Sequence, residues 1–232
     1  MSKETSPAAS DFVTSILRLN LRKAAFDCDG TLWSGDAGAD FFYWELDRGL
    51  LPPEVSSWAR KRYSTYEEGK VNEAVMCGEM VTLHKGLEDR VVAQAAEEFV
   101  AEVVEPRIFP EMRKLVASLS AAGCEVWAVS STAEWVVRAG VRRLGIAAEH
   151  VLAASAALEN GRITDRLIRV PTGDDKARAL RDAGITTLDA AFGNTLHDVA
   201  MLEMARHPFA INPRPALEKL AREHGWAVYR AH

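Results

Sequence analysis

The sequence predicts an α/β protein: a doubly wound, Rossmann-like parallel sheet core with an inserted all-helical cap domain. Three observations carry that reading. A short apolar strand, KAAFDCD, stands near the start and ends in two aspartates. From Pro110 onward, strand-like and helix-like segments alternate, as in a parallel sheet covered by helices on both faces. Between these two regions, residues 35–105 carry helical periodicity and no convincing strand.

The elements follow in order. MSKETSPAAS is polar and lacks the apolar run of a secretory signal, so residues 1–10 are expected to be a disordered tail. DFVTSILRLN reads as a short helix capped by Ser10 or Asp11. The strand ending at Asp27 and Asp29 completes the first core segment, 11–34. The helical insert, 35–105, holds ADFFYWELDRG, SSWARKRYSTYEEG, VNEAVMCGEMVTLHKG and LEDRVVAQAAEEFVAEVV. The core resumes over 106–232. Pro110 opens PEMRKLVASLSAAG, which Gly123 stops. CEVWAVSS is a strand, TAEWVVRAGVRRLG a helix and HVLAAS a strand. ALENGRITDRLI reads as a hairpin about Asn160-Gly161, a type I′ pair. DDKARALRDAG is a helix, TLDAAFGN holds a strand, LHDVAMLEMAR is a helix, PFAIN a strand and RPALEKLAREHG a last helix. Hinges between core and insert are expected near Gly35 and near Glu105-Pro106.

Composition narrows the function. The 232 residues are 48% hydrophobic and 26% charged, ordinary for a soluble globular protein. A net charge of -5 argues against nucleic acid or an anionic membrane as partner. Cys28, Cys77 and Cys124 have no CxxC spacing, so they form neither a disulfide framework nor a zinc site. A cytoplasmic location is expected. No apolar run approaches the ~18 residues of a membrane span.

In such a sheet, ligands bind beyond the carboxyl ends of the strands. Four polar clusters fall there: Asp27/Asp29, Ser130/Ser131, Gly173 to Lys176, and Asn194/Asp198. Two carboxylates this close need a cation or a shared proton. A hard divalent ion such as Mg²⁺ satisfies both, leaving one as nucleophile and the other as general acid. Taken alone, the pair is equally consistent with a capped turn. Ser130 and Ser131 suit an anion site or a helix N-cap. Lys176 opposes the dipole of the helix it opens; either a bound phosphate compensates, or it is a surface lysine paired with Asp174 or Asp175. Asn194 and Asp198, four apart, suit metal donors or an N-cap with a helix acid. His197 between them reads as a solvated helix residue.

In that order, DCDGTL, VWAVSS, GDDK and GNTLHD resemble the four motifs of the haloacid dehalogenase superfamily of phosphatases, over about Lys23 to the C-terminus. The helical insert and AINPRPALEKLAREHGW are similar to the branch that includes phosphoserine phosphatases. The resemblance implies Mg²⁺-dependent hydrolysis of a small phosphorylated metabolite. Asp27 would attack phosphorus and form an aspartyl-phosphate. Asp29 would protonate the leaving oxygen and then activate water, its main-chain carbonyl binding Mg²⁺. Ser130, with the N–H of Ser131, would hold phosphoryl oxygens, and Lys176 would neutralise nucleophile and phosphate. Asp27, Asp29, Asn194 and Asp198 would form the metal site. The fourth motif usually begins Gly-Asp, so Asn194 removes a negative charge; weaker Mg²⁺ binding with retained activity is expected.

Substrate choice is expected from Trp33, Asp36, Arg60 and Arg62. Asp36 stands near the offset of the branch's ammonium-reading glutamate, and Arg60 and Arg62 are candidates for its carboxylate-reading arginine. Ser131-Thr132 replaces a Gly-Gly common after the second motif. The aromatics Trp33, Phe41, Phe42, Tyr43 and Trp44 offer an alternative, a cage for a quaternary ammonium, as in a phosphocholine or phosphoethanolamine-type phosphatase. A dehalogenase is disfavoured because halide release needs no general acid at Asp29. A non-catalytic binding protein on the same fold is the remaining alternative.

Overall fold

A four-residue strand, β1 (Lys23–Phe26), lies at the centre of the sheet. The computed structural model describes residues 7–232. β1 pairs in parallel with β2 (Glu125–Ala133) on one side and β5 (Leu188–Gly193) on the other. Beyond β2 come β3 (Val151–Glu159) and β4 (Arg162–Arg169); beyond β5 come β6 (Ala205–Ile211) and β7 (Ala227–Tyr229). The sheet is not wholly parallel. β4 runs antiparallel to β3, because a two-residue turn joins them and a tight turn reverses the chain. Asn160 and Gly161 both have positive φ, 50° and 74°, as a type I′ turn requires. The edge strand β7 has no counterpart in the sequence reading.

Strand alternation divides the core into two faces. Ala24 and Phe26 face α1 (Pro7–Leu17), α6 (Pro110–Ala121) and α7 (Glu134–Arg142). Ala25 faces α8 (Asp174–Asp182), α9 (Val199–Leu202) and α10 (Pro215–Glu223). The expected tail lies partly outside the described residues. Its last four positions, 7–10, are helical, so α1 starts earlier than Ser10 or Asp11. A proline at the first helical position costs no hydrogen bond, and the alanines after it favour helix.

Between β1 and α6 the chain forms α2 (Ala37–Asp47), α3 (Pro53–Glu67), α4 (Glu73–Thr82) and α5 (Asp89–Phe99). A π turn, Val100–Val104, and a 3₁₀ turn, Glu105–Arg107, lead back to the sheet. Phe42, Leu46, Ala59, Tyr63 and Met76 bury one another among α2, α3 and α4. The outgoing and returning segments are stitched into a narrow two-stranded ribbon. Trp33 bridges Ile108, Ser34 N–H donates to Arg107 O at 3.1 Å, and Phe109 N–H donates to Leu32 O at 3.1 Å.

Candidate active site

The strand order reverses about β1, so the carboxyl ends of β1, β2 and β5 meet at the switch point where open α/β sheets bind ligands. Asp27 prolongs β1, its N–H donating to Phe192 O at 2.8 Å. Gly30 then turns the chain with φ 77°. A β-carbon there would stand 1.9 Å from Asn194 Nδ2, so only glycine admits the Asn194 side chain to the rim.

Lys176, in the first turn of α8, is 3% exposed. Its ammonium donates to Asp27 Oδ1 and to Asp198 Oδ1, each at 2.6 Å. This overturns the surface-lysine reading; Asp175 pairs instead with Arg178. Thr31 Oγ1 donates to Asp27 Oδ2 at 2.9 Å. Burial, then the Asp198 charge, outweigh Lys176 and lift the Asp27 carboxyl to about 7. Burial alone would push the Lys176 ammonium down, but Asp198 and Asp27 hold it above its ordinary value.

Asp29 is held separately. Its Oδ1 accepts from Trp33 Nε1 and Ala37 N–H, both at 2.7 Å, and its Oδ2 accepts from Thr132 Oγ1 at 2.7 Å. Burial and the nearby Asp36 raise its carboxyl to about 6, against those hydrogen bonds. The two aspartates therefore differ in partner: Asp27 faces an ammonium, whereas Asp29 is set by neutral donors. Ser130 is buried at the end of β2, its hydroxyl accepting from Thr132 N–H at 3.1 Å. It shares a cavity of about 150 Å³ with Ser131, Asp27, Asp29, Lys176 and Asn194.

Asp198 does not line that cavity. It is fully buried, and its Oδ2 accepts from the backbone N–H of Asn194 and Thr195, both at 2.9 Å. With Oδ1 on Lys176, it is placed as the counter-ion of the lysine and the clamp of the Asn194 loop. The Asn194 carboxamide, by contrast, makes no hydrogen bond to another described residue. Asn194 lines the cavity with Asp27 and Asp29. These are hard oxygen donors, and they fit a divalent ion such as Mg²⁺, which keeps waters and takes substrate oxygens rather than needing an all-protein cage. Among the described residues no three His, Cys, Asp or Glu side chains form such a cage.

The substrate residues are placed unequally. Asp36 lines the cavity while capping α2, accepting from Ala39 N–H at 2.9 Å. Trp33 is fully buried and donates to Asp29 rather than lining the cavity. Arg60 and Arg62 are turned away, to Asp47 at 2.6 Å and to Glu79 at 2.6 and 2.8 Å. The five aromatics do not form a cage. Residues 41–44 spread round a helix, so Phe41 and Phe42 line the cavity while Trp44 packs on Phe99 and beneath the Arg48 guanidinium. Thr31, Tyr63 and Arg214 were missed, and Thr132 was read only as a departure from Gly-Gly. Thr132 and Arg214 line the cavity, as does Glu73, which accepts from Thr172 Oγ1 at 2.6 Å and faces His197 at 3.0 Å across the mouth.

The haloacid dehalogenase-like hydrolase family matches residues 24–203. A histidinol-phosphatase of Neisseria meningitidis is 29% identical over 88% of this chain and 96% of its own length. The phosphoserine phosphatase SerB1 of Mycobacterium tuberculosis is 28% identical over 88% of this chain and 69% of its own. Among solved structures, a Bordetella pertussis protein of unknown function superposes with a TM-score of 0.74 at 24% identity, covering 89% of this chain and 97% of that one. A substrate-bound phosphoserine phosphatase gives 0.55 at 20% identity, covering 85% and 89%; both likenesses concern the fold. No helix among the described residues is long and apolar enough to cross a membrane. With its motif residues converging on one rim, the chain belongs to the haloacid dehalogenase-like hydrolase family, as an enzyme of the phosphatase type.

Proposed function

We propose that the enzyme is a Mg²⁺-dependent phosphomonoesterase that works through an aspartyl-phosphate on Asp27 and takes a small phosphorylated amino alcohol. The reading is carried by the two aspartates: one faces the open cavity beside an ammonium, and the other is fixed by three donors. The bound cation supplies positive charge against Asp27 and the phosphoryl oxygens. Lys176 holds the Asp27 oxygen and the phosphate charge, while Ser130 Oγ and the Ser131 N–H receive phosphoryl oxygens. An Asp27 oxygen bonds to phosphorus as the ester P–O bond breaks, and the proton on Asp29 goes to the leaving alkoxide. Water then attacks phosphorus, Asp29 takes its proton, and the bond to Asp27 breaks to release phosphate. Helices α2 to α5 act as a cap over the rim, excluding bulk water.

The substrate class rests on charge. The cavity wall from the cap carries the acids Asp36, Glu45 and Glu73 and no arginine. An ammonium-bearing alcohol suits that wall, and the histidinol-phosphatase relative agrees with it. Phosphoserine is the second reading, favoured by Arg214, which lines the cavity from the core side and offers a cation to a substrate carboxylate.

Phosphate release from p-nitrophenyl phosphate in MgCl₂ tests the chemistry. Wild type is expected to turn over, and Asp27→Asn to lose at least 10³-fold in rate, the size of a lost nucleophile. No release from this or any phosphomonoester would end the proposal. Comparing L-histidinol phosphate with phosphoserine separates the two substrate readings.

A further inference from the structure

Glu45 is a carboxylate that neither the catalytic rim nor the packing of α2 explains. It is 1% exposed, yet it lines the cavity. Its Oε2 meets His84 Nε2 at 2.7 Å. His84 is itself fully buried, between Phe41 and Trp135 with ring centroids 6.5 and 5.2 Å away. Its other ring nitrogen bonds Val81 O at 3.2 Å. The histidine is thus locked from behind and holds one oxygen of Glu45. The other oxygen, Oε1, accepts from no described residue. Among the described residues no fully enclosed side-chain oxygen lacks a partner, so Oε1 opens on the cavity.

The position along α2 sets what Oε1 can meet. The start of the helix abuts the catalytic rim: a methyl on Gly38 would stand 2.9 Å from Thr132 Oγ1. Glu45 is seven residues further, roughly 10 Å at 1.5 Å per residue. It is on the same face as Gly38, Phe41 and Phe42, which also line the cavity. Phe42, Tyr63, Met76 and Met80 also line the cavity, flat and polarizable walls that suit a ring rather than a bare ammonium. The buried acceptor among those walls suits a ring edge bearing N–H.

We propose that Glu45 is a specificity residue whose free oxygen accepts an N–H from a nitrogenous aromatic ring, of the imidazole type, at the far end of the substrate. The inference rests on the amino-alcohol reading above: Asp36 faces the ammonium near the phosphate, and Glu45 faces the ring two helical turns away. His84 is its positioning residue.

The test compares kcat/KM for L-histidinol phosphate and L-phenylalaninol phosphate, which share phosphate, ammonium and a flat ring but differ in ring N–H. The ratio is read in wild type, Glu45→Leu and Glu45→Gln, with p-nitrophenyl phosphate as the chemistry control. Wild type is expected to favour the imidazole substrate at least tenfold, because a site built around a buried acceptor rejects a partner that leaves it empty. Leucine should bring the ratio to about one, through KM more than kcat. Glutamine keeps an oxygen but not the charge, and should lower the ratio at least threefold. If the leucine variant does not fold, by its thermal transition, the glutamine ratio decides alone. Ratios unchanged in the folded variants overturn the role of Glu45 while leaving the amino-alcohol reading intact. If wild type cleaves p-nitrophenyl phosphate but neither amino-alcohol phosphate, both fall.

Discussion

At the scale of the residue, the acid is held by a side chain chosen for its orientation. Trp33 Nε1 donates to Asp29, and the indole can lie there because α7 carries glycine beneath it. A β-carbon on Gly140 would stand 2.9 Å from the Trp33 ring. Gly to Ala in a helix normally gains roughly 1 kcal/mol. Here the added methyl overpacks, and a loss of about 1–3 kcal/mol is expected instead. Gly140→Ala should therefore melt lower than wild type by calorimetry, with kcat reduced as the indole is pushed off Asp29. Asn194 makes a second case. Its carboxamide faces the cavity, so Asn194→Asp adds a charged oxygen donor where the proposed cation would bind and should tighten Mg²⁺ binding roughly tenfold. Titration calorimetry with MgCl₂ alone reads this; unchanged affinity would remove Asn194 from the metal shell. The motif residues were legible because chemistry restricts their type and spacing. The bond from Trp33 to Asp29 was not legible, because the direction of an indole depends on Gly140, over a hundred positions away in sequence.

At the scale of the element, the pair Glu45–His84 joins α2 to the end of α4. Burial alone lowers the pKa of the imidazole, but the Glu45 charge and hydrogen bond outweigh it, and His84 is raised above its usual 6.5. A group raised on folding contributes stability that is fully present below its unfolded value and lost as pH climbs through its folded value. The melting temperature should fall from about pH 6.5 upward, and His84→Gln should flatten that limb. A wild-type profile with no such limb would show that the pair does not hold the helices. The bounds of α6 were readable from Pro110 and Gly123, since first-turn prolines and glycine stops act locally, whereas the caps Asp36 and Asn72 emerge only in the structure. β4 was seen as a hairpin arm, but its place as the antiparallel edge of the main sheet was not, and β7 was not seen at all. Ala227–Tyr229 is short and largely exposed, and its pairing with β6 is a tertiary event with no local signal.

At the scale of the whole molecule, one buried charge cluster joins the sheet to α8. Lys176 sits between Asp27 and Asp198, all nearly excluded from solvent. Breaking such a cluster strands the remaining charges, at a cost of about 3–5 kcal/mol. Lys176→Met should lose activity and unfold at lower urea; an unchanged midpoint would mean that the two carboxylates find protons at no cost. The larger geometry makes a different point. The chain enters and leaves the helical insert through the ribbon of Leu32 to Ser34 against Arg107 to Phe109, and the insert is tied to the sheet a second time where Gly86, Leu87 and Asp89 bond Ile163 and Gly161 of the β3–β4 arm. Trp33 is one of the ribbon's rungs, and the same residue's indole carries the hydrogen bond to Asp29. The strip that carries the chain into the insert thus also fixes the Asp29 carboxyl, so a substitution that disturbs the pairing of residues 32–34 with 107–109 should be felt at the rim.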